Sequence, residues 1–200
     1  MFDPVLMRAM TPILDRAGLH LARRGWTANG VTWLGFSIGC GAALAVANGH
    51  TIIGLGCIAL NRLCDGLDGA VARATARTDL GGYLDIVLDF IFYGLVTAAF
   101  AVADPANAIA ASILLASFMA TAASFLAFAI VAARRGVDGT SHGKKSFFFS
   151  WGLAEGFETI AFLVVVCLWP GTFVPLTTAF AVLCWLTAAQ RITFAMDMFK

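Results

Sequence analysis

Asp65, Asp68, Asp85 and Asp89 lie within one 29-residue stretch, NRLCDGLDGAVARATARTDLGGYLDIVLD (61–89), whose remaining residues are mostly small or apolar. Asp65, Asp68, Gly69, Ala72 and Arg73 stand at i, i+3, i+4, i+7 and i+8, which is one face of a helix. Gly81, Asp85 and Asp89 stand at i, i+4 and i+8, again one face. Four carboxylates offer up to eight oxygen donors, a hard set suited to one or two Mg²⁺ or Mn²⁺ ions. The cations nearby are Arg62, Arg73 and Arg77, and bound metal would compensate the charge better. Gly66, Gly69, Ala72, Gly81 and Gly82 strip bulk from the same faces, so a flat or charged ligand can approach the backbone, with Arg73 available for a phosphate. Close helix packing through small residues is the competing explanation for the glycines.

The elements that must hold these residues are membrane helices. Of the 200 residues, 60% are hydrophobic and 12% charged, and mean hydropathy is +0.86. A water-soluble domain carries about 25% charged residues, so lipid is the solvent for most of this chain. A carboxylate near the membrane interior costs about 2.5–3.5 kcal/mol on insertion scales, which makes the aspartate cluster a functional site by default. Hydropathy gives six spans of about 20 residues, the length a bilayer core demands. They run from Val31 to Ala47, Thr51 to Arg73, Leu80 to Ala103, Asn107 to Ala133, Phe147 to Trp169 and Phe173 to Phe194. The breakers between them include Asn48-Gly49, Asp104-Pro105, the stretch from Gly136 to Gly143, and Pro170-Gly171. The short link from Ala74 to Asp79 makes spans 2 and 3 antiparallel neighbours, so the two carboxylate pairs can converge.

Of the 13 Lys and Arg residues, Arg62 lies within span 2 and the other twelve fall before span 1, at or beyond the end of span 2, after span 4, or at the end of span 6. The positive-inside rule then puts both termini and the aspartate cluster on the cytoplasmic side. Residues 1–28 form a juxtamembrane segment. In it Val5, Leu6, Ala9, Met10, Ile13, Leu14 and Ala17 recur at helical spacing, an amphipathic helix expected on the inner leaflet. Residues 29–200 form the six-helix membrane catalytic domain, and Asn29 is suited to cap its first helix. The fold class expected is therefore an all-α membrane protein, a six-transmembrane-helix bundle with an N-terminal juxtamembrane amphipathic helix. No basic block marks a nucleic-acid binder. The five cysteines form no CxxC pair, which argues against a disulfide framework or zinc site. The N-terminus lacks the pattern of a removable signal peptide.

The pattern Asp65-x2-Asp68-Gly69-x2-Ala72-Arg73-x7-Gly81-x3-Asp85-x3-Asp89 resembles the signature of the CDP-alcohol phosphatidyltransferase family. The resemblance extends to chain length and the six-span layout, and is nearest to small bacterial inner-membrane members of unassigned acceptor. It departs in the spacer: seven residues separate Arg73 from Gly81, where the usual form has eight and Gly82 would restore the count. Ala28 also stands where the family tends to have proline before span 1, while Asn29 and Thr32 keep its pattern. The resemblance implies transfer of a phosphatidyl group from a CDP-linked lipid such as CDP-diacylglycerol to an alcohol, with release of CMP. It implies Asp65, Asp68 and Asp85 as metal ligands, and Asp89 as general base that also touches metal. It implies Gly69, Ala72, Arg73 and Gly81 around the cytidine diphosphate, Thr32 close to that pocket, and a homodimer.

Glu155 and Glu158 stand at i, i+3 near the start of span 5, either as structural groups at the interface or as part of an acceptor pocket. Arg134, Arg135, Lys144 and Lys145 flank the glycine-rich loop after span 4. They either anchor anionic lipid or read a phosphate on the acceptor. Two other functions compete. A cation or proton transporter needs carboxylates along a transmembrane path, and here they cluster near one face. An aspartate-rich prenyltransferase needs more spans than this chain provides.

Overall fold

Apolar periodicity and the near absence of mid-segment proline favour helix along most of the chain, and helices are what form. A computed structural model describes residues 3–136 and 152–200, with backbone alone for residues 3–10. The helices are α1 (Asp3–Arg23), α2 (Ala28–Ala47), α3 (Thr51–Ala74), α4 (Asp79–Ala103), α5 (Ala108–Arg134), α6 (Gly156–Leu168) and α7 (Phe173–Met198). Single 3₁₀ turns, Pro105–Asn107 and Pro170–Thr172, lead into α5 and α7. No strand occurs among the described residues.

Local chemistry sets the ends. Thr27, not Asn29, caps α2: its Oγ1 accepts the Gly30 N–H at 3.1 Å. Threonine one position earlier already fills the cap, which leaves the Asn29 side chain for the site described below. Thr78 does the same for α4, accepting from Gly81 N at 3.0 Å. Such a cap contributes about 1 kcal/mol. Gly49, at φ +80°, supplies the left-handed turn that separates α2 from α3. Glu155 and Glu158 form a reciprocal capping box at the start of α6, so the i, i+3 spacing of these two acids has a structural cause.

Four helical segments are long and apolar enough to cross a membrane: α2, α4, and α5 and α7 with their leading turns. The protein is a multi-pass membrane protein. The 24-residue α3 matches them in length but carries Arg62, Asp65, Asp68 and Arg73, and α6 has 13 residues. The N-terminal part of the fifth expected span, from Phe147, lies outside the described residues.

α2 lies against both α3 and α4, and α5 pairs with α7. Phe92, Val96 and Phe100 of α4 pack with Leu163 and Val166 of α6 and with Phe173 and Ala181 of α7. Glycine brings α2 close: a Cβ at Gly39 would stand 2.7 Å from the Phe92 ring. Trp33, Leu44, Ile52, Ile109, Met119 and Trp185 point outward, where acyl chains would cover them. α1 docks along α3, with Leu14 buried and Gly18 against the Ala70 backbone.

Candidate active site

The antiparallel α3 and α4 bring the two halves of the aspartate motif to one cleft, as their short link requires. Arg62, Asp65, Asp85 and Asp89 border its narrow centre together with Thr32 and Asn61. Two larger cavities open from it. The first, about 370 Å³, is lined by Asn29, Thr32, Asp68, Gly69, Ala72, Arg73, Gly81, Gly82 and Asp85 among others. The second, about 440 Å³, lies across α4 and is lined by Asp85, Asp89, Tyr93, Thr121, Phe125, Glu155 and Arg191 among others. Asp85 borders both cavities, and Asp89 borders the cleft and the second.

The expected motif residues have definite places. Asp68 is buried and its Oδ2 accepts a 2.6 Å hydrogen bond from Thr32 Oγ1. Thr32 therefore reaches the motif from α2, 36 residues away in sequence. Gly69, Ala72, Arg73 and Gly81 all line the first cavity. Gly81 is the tighter of the two adjacent glycines. A Cβ there would meet Thr78 Oγ1 at 3.1 Å and Asn29 Oδ1 at 3.2 Å, whereas one at Gly82 meets nothing within 4 Å. Arg73 donates from Nε (2.9 Å) and Nη2 (2.7 Å) to Asp15 Oδ1 on α1.

Asp89 is held by groups the motif does not contain. Arg62 donates from Nη1 to Oδ2 at 3.0 Å and from Nη2 to Oδ1, and Tyr93 donates its hydroxyl to Oδ2 at 3.0 Å. The bidentate fork is the strong, geometrically specific form of such a pair. A carboxylate has about four lone-pair positions. Three are taken by described residues, which leave one on Oδ1.

Arg134 and Arg135 end α5, away from these cavities. Arg135 donates to the Phe199 carbonyl at 2.8 Å and lies over its ring. Lys144 and Lys145 lie outside the described residues. Arg191 of α7 is the cation that lines the second cavity. Its guanidinium lies 5.3 Å from the Phe125 ring centroid, and its Nη1 donates to the Thr121 carbonyl at 3.2 Å. Its Nε is buried without a hydrogen-bond partner among the described residues.

Arg191 was not singled out from sequence because it looks like a topology-setting residue at the end of span 6. The pairing of Arg62 with Asp89 had a fainter signal: Arg62 sits three residues before Asp65 inside an apolar span.

As the side chains stand, no set of three or more His, Cys, Asp or Glu encloses a metal position among the described residues. The donor chemistry nonetheless fits a hard divalent cation. Asp65, Asp68 and Asp85 bring three carboxylates from two adjacent helices to one cleft, and the Asp65 and Asp85 carboxyls are immediate neighbours.

Comparison with known proteins places this geometry. The family model for CDP-alcohol phosphatidyltransferase matches residues 26–190. The chain belongs to the CDP-alcohol phosphatidyltransferase family. It is 44% identical over 193 residues, 96% of its own length and 94% of the relative's, to inner membrane protein YnjF of Escherichia coli (strain K12). It is 38% identical over 96 residues to archaetidylinositol phosphate synthase of Methanothermobacter thermautotrophicus, covering 48% of this chain and 46% of that one. Its fold is similar to that of Mycobacterium tuberculosis phosphatidylinositol phosphate synthase (PgsA1), crystallised with CDP-DAG bound. The TM-score is 0.72 at 24% identity, over 92% of this chain and 93% of the other. Membership of the family carries the general reaction type, CDP-alcohol phosphatidyl transfer.

Proposed function

We propose that the protein transfers a phosphatidyl group from CDP-diacylglycerol to a hydroxyl of an alcohol acceptor and releases CMP. The observation that carries this reading is that two cavities meet at the Asp85–Asp89 face of α4. The first suits the cytidine diphosphate: its glycines admit a flat ligand to the backbone, and Arg73 and Arg77 offer charge for its phosphates. Asp65, Asp68 and Asp85 would hold Mg²⁺ or Mn²⁺, with Asp89 beside them. A divalent ion there supplies neutralisation of the charge that develops on the departing phosphate.

Asp89 acts as the general base. Its free Oδ1 position takes the acceptor's hydroxyl proton as the oxygen attacks the lipid-side phosphorus. The bond from that phosphorus to the bridging oxygen breaks, CMP carries the bridging oxygen away, and the lipid phosphate keeps its glycerol ester. Arg62 and Tyr93 hold the base in register, which is where much of the gain from a positioned base originates.

The second cavity receives the acceptor. The unpartnered Nε of Arg191 supports an acceptor that carries an anionic group, and a synthase whose name specifies an inositol phosphate product is among the relatives. The cluster Arg134, Arg135, Lys144 and Lys145 is the other cationic candidate for that group. α3 and α6 complete a six-span bundle whose site faces the cytoplasm of a bacterial inner membrane. Two copies of the chain form a homodimer. A transporter reading has less support, because the carboxylates gather on α3 and α4 instead of tracing a path across the bilayer.

The test is mass spectrometry of lipids made by purified protein from CDP-diacylglycerol with a panel of alcohols, some bearing a phosphate. A new phospholipid with stoichiometric CMP is expected for at least one phosphorylated acceptor. Absence of any transfer product across the panel, with folded protein, would sink the reading.

A further inference from the structure

Arg62 is the most completely fixed cation among the described residues. Besides the fork on Asp89, its Nε donates to Asn61 Oδ1 at 2.9 Å, and its Nη1 lies 3.3 Å from the Tyr93 hydroxyl. Asn61 is itself buried and donates to the Gly35 carbonyl at 2.9 Å. The guanidinium carbon stands 5.1 Å from the centre of the Phe92 ring and 5.6 Å from that of Tyr93. Carboxylate, amide, phenol and rings thus hold it from several sides, and it cannot leave as a lysine on a flexible stem could.

From that seat the charge reaches two motif aspartates. Arg62 Nη1 is 3.5 Å from Asp65 Oδ2, and the Nη2 of the same guanidinium is bonded to Asp89 Oδ1. A cation bridging Asp65 and Asp89 is what a second divalent ion would otherwise be. An ion placed there would have to approach a fixed positive charge and share a carboxylate already committed to three hydrogen bonds. Asp65, Asp68 and Asp85 face the rest of the cleft and retain oxygens for one ion.

We infer that Arg62 is a resident cation in the seat of a second metal, so that the aspartate site binds a single divalent ion held by Asp65, Asp68 and Asp85. This rests on the metal-assisted reading above and deepens it. Asp89 is then a base held by protein groups and not a metal ligand. Arg62 is a positioning residue that also carries part of the charge compensation.

The experiment is titration of purified protein with Mn²⁺, with free ion measured by its electron paramagnetic resonance signal and CMP release followed in parallel with and without EDTA. Wild type should bind one Mn²⁺ per chain. Arg62→Gln should bind two, with the dipolar broadening of neighbouring spins. Asp89→Asn should keep wild-type Mn²⁺ affinity, while Asp65→Asn weakens it by about tenfold or more. Two ions in the wild type, one in Arg62→Gln, or an Asp89→Asn loss as large as that of Asp65→Asn would each overturn the inference while leaving the transferase reading intact. No bound Mn²⁺ together with EDTA-resistant CMP release would overturn the metal reading and the inference with it. If Arg62→Gln does not fold, the wild-type stoichiometry and the Asp89→Asn affinity still decide.

Discussion

Arg62 on α3 and Asp89 on α4 are joined by two hydrogen bonds from one guanidinium to one carboxylate, across 27 residues of sequence. Both side chains are largely shielded, at 19% and 29% exposure. Removing one partner of such a pair leaves an uncompensated charge and costs about 3–5 kcal/mol in buried cases. Arg62→Met should therefore destabilise the protein by about 2–4 kcal/mol. The double change Arg62→Met with Asp89→Leu should recover a good part of that loss. Thermal unfolding in detergent, read by thiol reactivity of the buried Cys167 and Cys184, measures both. Additive losses in the double variant would contradict a direct pair.

Thr32 should matter through Asp68. Its hydroxyl is the donor to a buried carboxylate. Thr32→Val keeps the shape and removes the donor, so about 1–3 kcal/mol of unmet hydrogen bonding falls on Asp68 in the metal-free protein. Chemical or thermal denaturation with EDTA present should show that loss, and added Mg²⁺ should shrink it if Asp68 is a ligand.

Asp15 makes α1 part of the nucleotide pocket through Arg73. The pair is partly solvated, at 31% and 45% exposure, so its worth is modest, about 0–1 kcal/mol. Asp15→Asn should raise the KM for CDP-diacylglycerol by about two- to fivefold and leave kcat nearly unchanged. Steady-state kinetics at fixed acceptor checks this. A fall in kcat with unchanged KM would show that Asp15 does not act through substrate binding.

The two cationic candidates for the acceptor separate cleanly. Arg191→Gln should raise acceptor KM by about tenfold or more and leave CDP-lipid KM unchanged, as expected for loss of a charge-assisted contact. Arg134→Gln with Arg135→Gln should change acceptor KM by less. The reverse pattern would return the acceptor phosphate to the loop after α5.

The sequence carried the motif, the helix faces and the tight α3–α4 link, because those depend on spacing alone. Thr32 beside the first cavity was legible through its motif context, but its bond to Asp68 was not. The partners of Asp89 were not, because Arg62 and Tyr93 meet it only once α3 and α4 pack in a particular rotation. Arg191 was hidden for another reason. An arginine near the end of a span satisfies the positive-inside pattern whether or not its guanidinium turns into a cavity. The α1 expectation was incomplete in the same way: the apolar stripe predicts a surface helix, but Gly18 against Ala70 and Asp15 on Arg73 tie it to α3. Capping by Thr27 in place of Asn29 shows that two adjacent polar residues cannot be ranked as caps until the backbone turn is known.

CMP release from CDP-diacylglycerol by wild-type and Asp89→Asn protein, with acceptor and Mg²⁺ saturating, tests the central claim most directly. Wild type should release CMP only when acceptor and metal are both present. Asp89→Asn should still bind the CDP-lipid but release CMP slower by about 10²-fold or more, the contribution of a positioned general base. An Asp89→Asn protein that turns over at nearly the wild-type rate would contradict the account.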